Sequence, residues 1–264
     1  MKNLLKAILA VAASMGIATA CSPGAGTNVA DNSADTVDIF DHRGVMVRHN
    51  IDRPTIYLLF SADSMFEGAP TALKALDERG LKGNFFFTGN FLERPENAEI
   101  IRRVVAGGHY VGGHSNRHLL LADWDKCEPI VPNDSLIADV DSNFNALKAF
   151  GVERDSCRWF MPPFEWIATA QVPALQDSLG LKVINPTPGI QIFRDYTTPD
   201  MPEYHSSQQI IDQLFAFEKE RGLNGAFLIF HLGTQDLRTD KLYDHMPMIL
   251  DSLATMGYTF ERLH

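Results

Sequence analysis

The chain is poor in cysteine, in positive charge and in long apolar runs. It has three cysteines in 264 residues, and neither Cys127 nor Cys157 lies near a histidine in the pattern of an activated thiol, which argues against a thiol enzyme. Lys and Arg total 23 against 33 Asp and Glu, a formal net charge of −10 with no basic cluster. Such a chain has no electrostatic footprint for nucleic acid or for anionic lipid. Its longest apolar run, near the N-terminus, is about fifteen residues, short of the ~20 that cross a bilayer. From about Asp38 onward there is neither low complexity nor internal repeat.

What is present begins with a leader. Two lysines in Met1-Lys-Asn-Leu-Leu-Lys6 precede the apolar run, which ends in small residues at Ala18-Thr-Ala-Cys21; that order is a secretory signal. The ending resembles a bacterial lipobox, whose cysteine is lipidated, although Leu is usual where Ala18 stands. An ordinary signal cleaved nearby is the alternative. Either way an exported protein is expected, held to the membrane, if at all, through a lipid on Cys21. Residues 22–37 are small and polar and are expected to form a flexible tether. Residues 38–264, about 225 in number, suffice for one α/β barrel domain. In an oxidising compartment Cys127 and Cys157 could be bridged or could remain two separate thiols.

Within that domain short apolar runs alternate with helical periods. Strands are expected at Thr55–Phe60, Asn84–Thr88, Tyr110–Val111, Arg158–Met161, Leu181–Ile184, Ala226–Phe230 and Tyr258–Phe260. Helices are expected at Ala69–Arg79, Asn97–Ala106, Leu136–Phe150 behind a cap at Asp134 or Ser135, Val172–Leu179, Ser207–Arg221 and Lys241–Met256. Continuous apolar strands alternating with helices imply a parallel sheet buried on both faces. About seven such units point to a barrel, whose chemistry sits in the loops after the strands.

The segment His114-Ser-Asn-Arg-His118 follows the third run. Histidines four apart suit a shared metal and a solvated helix face equally well, so the spacing alone decides nothing. The other strand-end residues decide it. Asp63 follows the first strand, Glu165 follows Met161-Pro-Pro-Phe164, Asp195 lies in the loop beyond Ile184, and His231 follows Phe230. Two histidines and one carboxylate with an open fourth position have the composition of a catalytic zinc site, and one divalent metal ion, zinc by preference, is the expected cofactor.

The order of motifs resembles the polysaccharide deacetylases with a NodB-homology domain, carbohydrate esterase family four. Phe60-Ser-Ala-Asp-Ser64 stands where the family reads T-F-D-D-G, and Phe86-Phe-Thr-Gly89 matches its F-F-x-T-G strand. Gly108-His-Tyr-Val-Gly-Gly-His-Ser-Asn-Arg-His118 matches G-H-E-I-G-N-H-S-x-x-H, the most specific of the set. Met161-Pro-Pro-Phe164 stands for R-P-P-Y, Leu228-Ile-Phe-His-Leu232 for I-x-L-H-D, and Gly257-Tyr-Thr-Phe260 for the closing G-Y-x-F. The resemblance, which runs from about Ile56 to Phe260, implies a distorted seven-stranded (β/α) barrel, metal ligation by Asp63, His114 and His118, and His231 as general acid. It makes His109 a packed strand histidine and not a ligand.

The departures are equally specific. The family's general base aligns with Ala62, the arginine that orients it with Met161, and the aspartate after the late histidine with Leu232. Asp195-Tyr196 resembles the family's fourth-motif Asp-Trp. If the chain is an enzyme, a carboxylate other than residue 62 must take the proton; Glu165 ranks first, Glu67 second and Asp123 third. Trp124, Phe164 and Trp166, with Asp195, are the candidate sugar-binding residues. The resemblance implies a metal-dependent hydrolase that removes N- or O-linked acetyl groups from a polysaccharide. Another metal hydrolase on the same fold, or a carbohydrate-binding descendant without catalysis, is the alternative.

Overall fold

The structure, a computed structural model, describes residues 37–264. The expected leader, Cys21 and the tether up to residue 36 lie outside the described residues. The strands are β1 (Ile39–Phe40), β2 (Met46–Arg48), β3 (Thr55–Ala62), β4 (Asn84–Phe87), β5 (Tyr110–Gly113), β6 (Trp159–Phe160), β7 (Lys182–Val183), β8 (Ala226–His231) and β9 (Thr259–Phe260). The helices are α1 (Ala69–Asp77), α2 (Gly89–Leu92), α3 (Ala98–Ala106), α4 (Asn133–Leu147), α5 (Gln171–Leu179), α6 (Ser207–Arg221) and α7 (Met246–Thr255).

The sheet runs β1-β2-β8-β3-β4-β5-β6-β7. From β8 to β7 every pairing is parallel, whereas β2 lies antiparallel against β8. A single bridge between Met46 and Ile184 then returns the far edge to β2, with the Asn185 N–H donating to the Met46 carbonyl at 3.0 Å. Seven strands therefore curl into the distorted barrel that the motif order implies. The seventh stave differs from expectation. It is β2, which a three-residue run does not announce, while the closing Gly-Tyr-Thr-Phe strand forms β9 and pairs only with the start of β3.

Side chains alternate across a strand, and the alternation divides the interior. Tyr57, Leu59, Phe86, Tyr110, Trp159, Phe227 and Ile229 fill the barrel, while Ile56, Leu58, Phe60, Phe85, Phe87, Leu228 and Phe230 pack against the helices. Both faces being buried explains why the strands read as continuous apolar runs. The helices fall where the periodicity places them, within a few residues at their ends, except that α4 starts at Asn133 behind Pro132 with no side-chain cap, so Asp134 and Ser135 lie inside it. Ser206 and Gln209 form a capping box at the start of α6, and the final helix opens as a 3-10 turn before Pro247 permits α7 to begin. Among the described residues no helix is long and apolar enough to cross a membrane. The two cysteines there are separate free thiols.

One buried side chain ties the barrel to its helical layer just below the site. Asn143 of α4 accepts from the His114 N–H at 3.0 Å and donates to the Phe87 carbonyl at 3.0 Å. Asn143→Ala leaves the His114 N–H and the Phe87 carbonyl with only their mutual bond at 3.2 Å, and loss of the two shorter buried bonds costs about 1–3 kcal/mol in all. Urea denaturation of the 37–264 fragment should show a loss in that range or above, and wild-type stability would refute the assignment.

Candidate active site

The ends of β3, β5, β6 and β8 open into one cleft of about 530 Å³. Asp63, His114, His118, Glu165 and His231 all line it, together with Ser61, Ala62, Ser64, Met65, Trp124, Phe164, Phe193, Tyr196 and Gly233. Seven of the expected site residues, these five with Trp124 and Phe164, thus share one cavity.

Asp63 follows β3 directly. One of its carboxylate oxygens accepts from Thr88 Oγ1 at 3.0 Å and Asn90 Nδ2 at 3.1 Å; its orientation is set from β4 and α2. His114 follows β5, with Nδ1 2.7 Å from the Met161 carbonyl oxygen. A carbonyl accepts only, so Nδ1 carries the proton and Nε2 presents its lone pair. Burial, with His118 as a second influence, pushes the His114 pKa down to about 3, and the ring is neutral at neutral pH. Burial lowers His118 as well, against the pull of the Asp63 carboxylate.

His118 is not on a helix. The segment after β5 is an irregular loop in which Ser115 and His118 take φ of 66° and 52°. It is closed by the His118 N–H donating to Ser115 Oγ at 2.9 Å and by the Asn116 and Arg117 N–H groups donating to Asp139. The loop brings the two rings edge to face with centroids 5.1 Å apart. Of the two readings that the spacing left open, the helix face does not apply; the turn supplies the approach. Gly89 permits it, because a Cβ there would lie 1.7 Å from Asn116 Oδ1.

As the side chains stand, no group of three or more His, Cys, Asp or Glu among the described residues is drawn together as a metal-holding cluster. The chemistry of Asp63, His114 and His118 fits a divalent ion all the same. Both imidazoles are disposed to be neutral, and a backbone carbonyl sets the tautomer of His114 as outer-shell partners of metal ligands do.

His231, at the end of β8, is held by Asp195. Its Nδ1 lies 2.6 Å from Asp195 Oδ1, and its N–H donates to Oδ2 at 2.8 Å. Burial disfavours the imidazolium, but the Asp195 carboxylate, with Glu165 as a lesser influence, raises His231 above the ordinary histidine range. Asp195 was expected at the substrate; it is instead 1% exposed and lies behind His231. The edge of Tyr196 packs on the His231 ring at 5.3 Å. The sequence marks Asp195-Tyr196 as a pair but gives the tyrosine no role.

Glu165 follows the two prolines, on a 3-10 turn in which Phe164 and Glu165 take φ of 58° and 52°. Left-handed backbone at two successive non-glycine residues stores of order ~1–3 kcal/mol each and is a mark of functional loops. The turn is held by Asn185 Nδ2, which donates to the Glu165 carbonyl at 2.8 Å. Burial raises the Glu165 carboxyl above the usual glutamate range, with His231 opposing.

The other two acid candidates are engaged elsewhere. Glu67 does not line the cleft: its Oε1 accepts from the Thr234 N–H at 2.8 Å, with Tyr243 Oη and Lys241 Nζ at 3.3 and 3.5 Å. The loop cannot curl over Asp63, His114 and His118 because it is clamped to the segment after β8, where a Cβ on Gly233 would fall 2.0 Å from the Met65 carbonyl oxygen. Asp123 spends both oxygens on the N–H groups of Asp125, Lys126 and Glu128. That loop displays Trp124, 58% exposed. Trp166 does not line the cleft; it stacks behind Trp124 at 5.8 Å and donates Nε1–H to the Asp123 carbonyl. Phe164 meets Trp124 at 6.0 Å and His118 at 4.6 Å. His109 is packed under the barrel as expected, Nδ1 accepting from the Gly83 N–H at 3.0 Å.

Residues 48–184, just over half of the chain, match the polysaccharide deacetylase family. This chain belongs to that family. Chitin deacetylase 2 of Saccharomyces cerevisiae is 27% identical over 139 residues, covering 52% of this chain and 40% of its own. The peptidoglycan-N-acetylmuramic acid deacetylase of Bacillus subtilis is 35% identical over 71 residues, 26% of each chain. The match therefore spans less than half the length of either relative. Among solved structures, the wild-type CE4 family pseudoenzyme from Bacillus anthracis superposes with a TM-score of 0.65 at 15% identity, covering 85% of this chain and 75% of its own. The solved structure of the Bacillus subtilis enzyme, a family 4 carbohydrate esterase, gives 0.62 at 19% identity, covering 83% of each chain. At such identities the likeness carries the fold, and it agrees with the seven-stranded barrel.

Asp195 is the reason His231 holds its proton more firmly than an ordinary histidine. Asp195→Asn removes the charge and keeps the shape, so the titration midpoint of His231, followed by NMR, should move down toward or below ~6.5. An unchanged midpoint would show that Asp195 does not control it.

Proposed function

We propose that this polysaccharide deacetylase family member is a metal-dependent hydrolase that removes N- or O-linked acetyl groups from a polysaccharide. The observation that carries the reading is the convergence of two differently tuned groups, Glu165 and the Asp195-held His231, on the cleft that also presents Asp63, His114 and His118. The last three would hold the metal. A divalent ion there supplies Lewis acidity toward the acetyl carbonyl and toward a water molecule.

The chain's own residues divide the remaining work. Glu165, whose raised pKa brings it closer to neutrality, accepts the proton that the attacking water loses. It approaches from β6 and so replaces the acid missing at Ala62, where only a methyl group meets the cleft. His231, whose hold on its proton the Asp195 carboxylate strengthens, delivers a proton to the departing amine or alcohol, while Asp195 keeps its other nitrogen engaged. Trp124 and Phe164 offer ring faces to a pyranose, Trp166 backs them, and Tyr196 closes the opposite rim. The names of the two curated relatives point to acetylated amino-sugar polymers outside the cell. That location agrees with export and with lipidation of Cys21, which we propose as the anchor.

A second reading has its own support. Ala62 and Met161 remove the base and the arginine of the family pattern together, and a carbohydrate-binding descendant would do the same. Purified zinc-loaded protein offered a panel of acetylated glycans and other acyl substrates separates the readings. We expect acetate release that falls by roughly 10²–10⁴-fold in Glu165→Gln and is kept in Glu67→Gln. About one metal ion per chain should be lost on His114→Ala with His118→Ala. Glycan binding without turnover would favour the descendant, and wild-type turnover by metal-loaded Glu165→Gln would remove Glu165 as the base.

For the anchor, detergent partitioning of the full chain is decisive. Cys21→Ser should move from the detergent to the aqueous phase, and a variant that stays in detergent would rule out acylation at Cys21.

A further inference from the structure

Arg238 is fully buried, and all three of its hydrogen-bond partners are neutral oxygens. Nη1 donates to the carbonyls of Thr197 at 2.8 Å and His205 at 3.0 Å, and Nη2 donates to Ser207 Oγ at 3.3 Å. The guanidinium lies over the Tyr204 ring at 5.3 Å, and its Nε is buried without a partner. A buried charge held only by neutral oxygens is a poor stabilising device. A planar fork is, however, well suited to gathering several backbone oxygens in a fixed arrangement. The oxygens it gathers are informative. Thr197 lies two residues after Asp195, and His205 and Ser207 lie at the entry to α6. One guanidinium therefore fastens both ends of the segment 197–207.

The fastening closes a ring around the proposed acid. His231 donates to Asp195; Asp195 leads to Thr197; Thr197 accepts from Arg238; and Arg238 lies seven residues beyond His231 on the same loop. Asp240 extends the clasp by accepting from the Ser207 N–H. Lys241 ties that loop to itself through the Thr234 and Gln235 carbonyls.

We infer that Arg238 is a positioning residue: it fixes the Asp195 segment beneath His231 and so sets the tautomer and direction of the imidazole, without touching substrate. The effect expected on turnover rests on the function proposed above, whereas the effect on His231 does not.

The test uses the full chain with nitrogen-15 histidine and the variants Arg238→Lys and Arg238→Met. Leu250→Ala, a core change in α7 away from the cleft, controls for lost stability. At a pH above the His231 transition, where the ring is neutral, and with circular dichroism still that of a folded protein, the ring shifts of His231 in both Arg238 variants should move from protonated Nδ1 toward a mixture of tautomers. With a turned-over substrate, kcat should fall roughly 10–100-fold while KM stays within about twofold, and Lys should recover part of the loss. Leu250→Ala should lower Tm and leave the His231 signals in place. If Arg238→Met does not fold, Ser207→Ala, which removes the Nη2 acceptor, should shift His231 in the same direction by less. Wild-type His231 signals in folded Arg238 variants would overturn the inference. Absence of turnover in the wild type would overturn the proposed function and leave the ring shifts to decide the role of Arg238.

Discussion

Everything at the site depends on β3 being paired in parallel on both edges. Its register sets Ser61 opposite His231 on β8 and Ala62 opposite Phe87 on β4. The three chains consequently end on the same rim, and Asp63, Thr88 and His231 emerge there as neighbours. Parallel pairing also requires long crossovers, which the helices supply while covering the outer faces of the strands. Without that pairing the residues of the cleft, among them Asp63 and His231 at 168 positions apart, would have no reason to meet.

The acidic groups around the cleft are separated by what surrounds each of them. Asp195 receives two bonds from His231 and is committed to that histidine. Asp63 receives two side-chain donors from the β4 end. Asp123 and Glu67 are consumed in holding loops together. Only Glu165 lines the cleft with its carboxyl pushed upward by burial, and only its loop is held in left-handed backbone at two successive positions. Environment, and not residue type, thus distinguishes a candidate proton acceptor from a proposed metal ligand, Asp63, and three structural or orienting carboxylates. The same principle separates the histidines: burial holds His114 neutral, whereas a carboxylate at 2.6 Å keeps His231 charged more readily.

Much of this was legible in the sequence, and the parts that were not share a cause. The strands β3, β4 and β8 and the helix α6 were readable because their side-chain patterns reflect a local period imposed by burial. His114 and His118 were readable as a pair through their motif, but their spacing did not distinguish a helix from a turn. The turn depends on positive φ at Ser115 and His118 and on Asp139, a partner 21 residues beyond His118 that no local period reveals. The stave β2 escaped because three residues carry no period at all. Asp195 was expected at the substrate because its loop position, taken alone, does not say which way its carboxylate faces.

The residue types at the ends of the strands, the alternation of apolar runs and helices, and the loss of an acid and an arginine at Ala62 and Met161 were determined by the sequence alone. Each is a property of one residue or of its near neighbours. The partner of each carboxylate, the exclusion of Glu67 from the cleft, the burial of Arg238 and the closing of the barrel through Met46 and Ile184 were decided by tertiary structure. Those outcomes depend on which distant backbone groups reach a side chain first once the sheet has curled, and a hydrogen bond acts over about 3 Å whatever the separation along the chain.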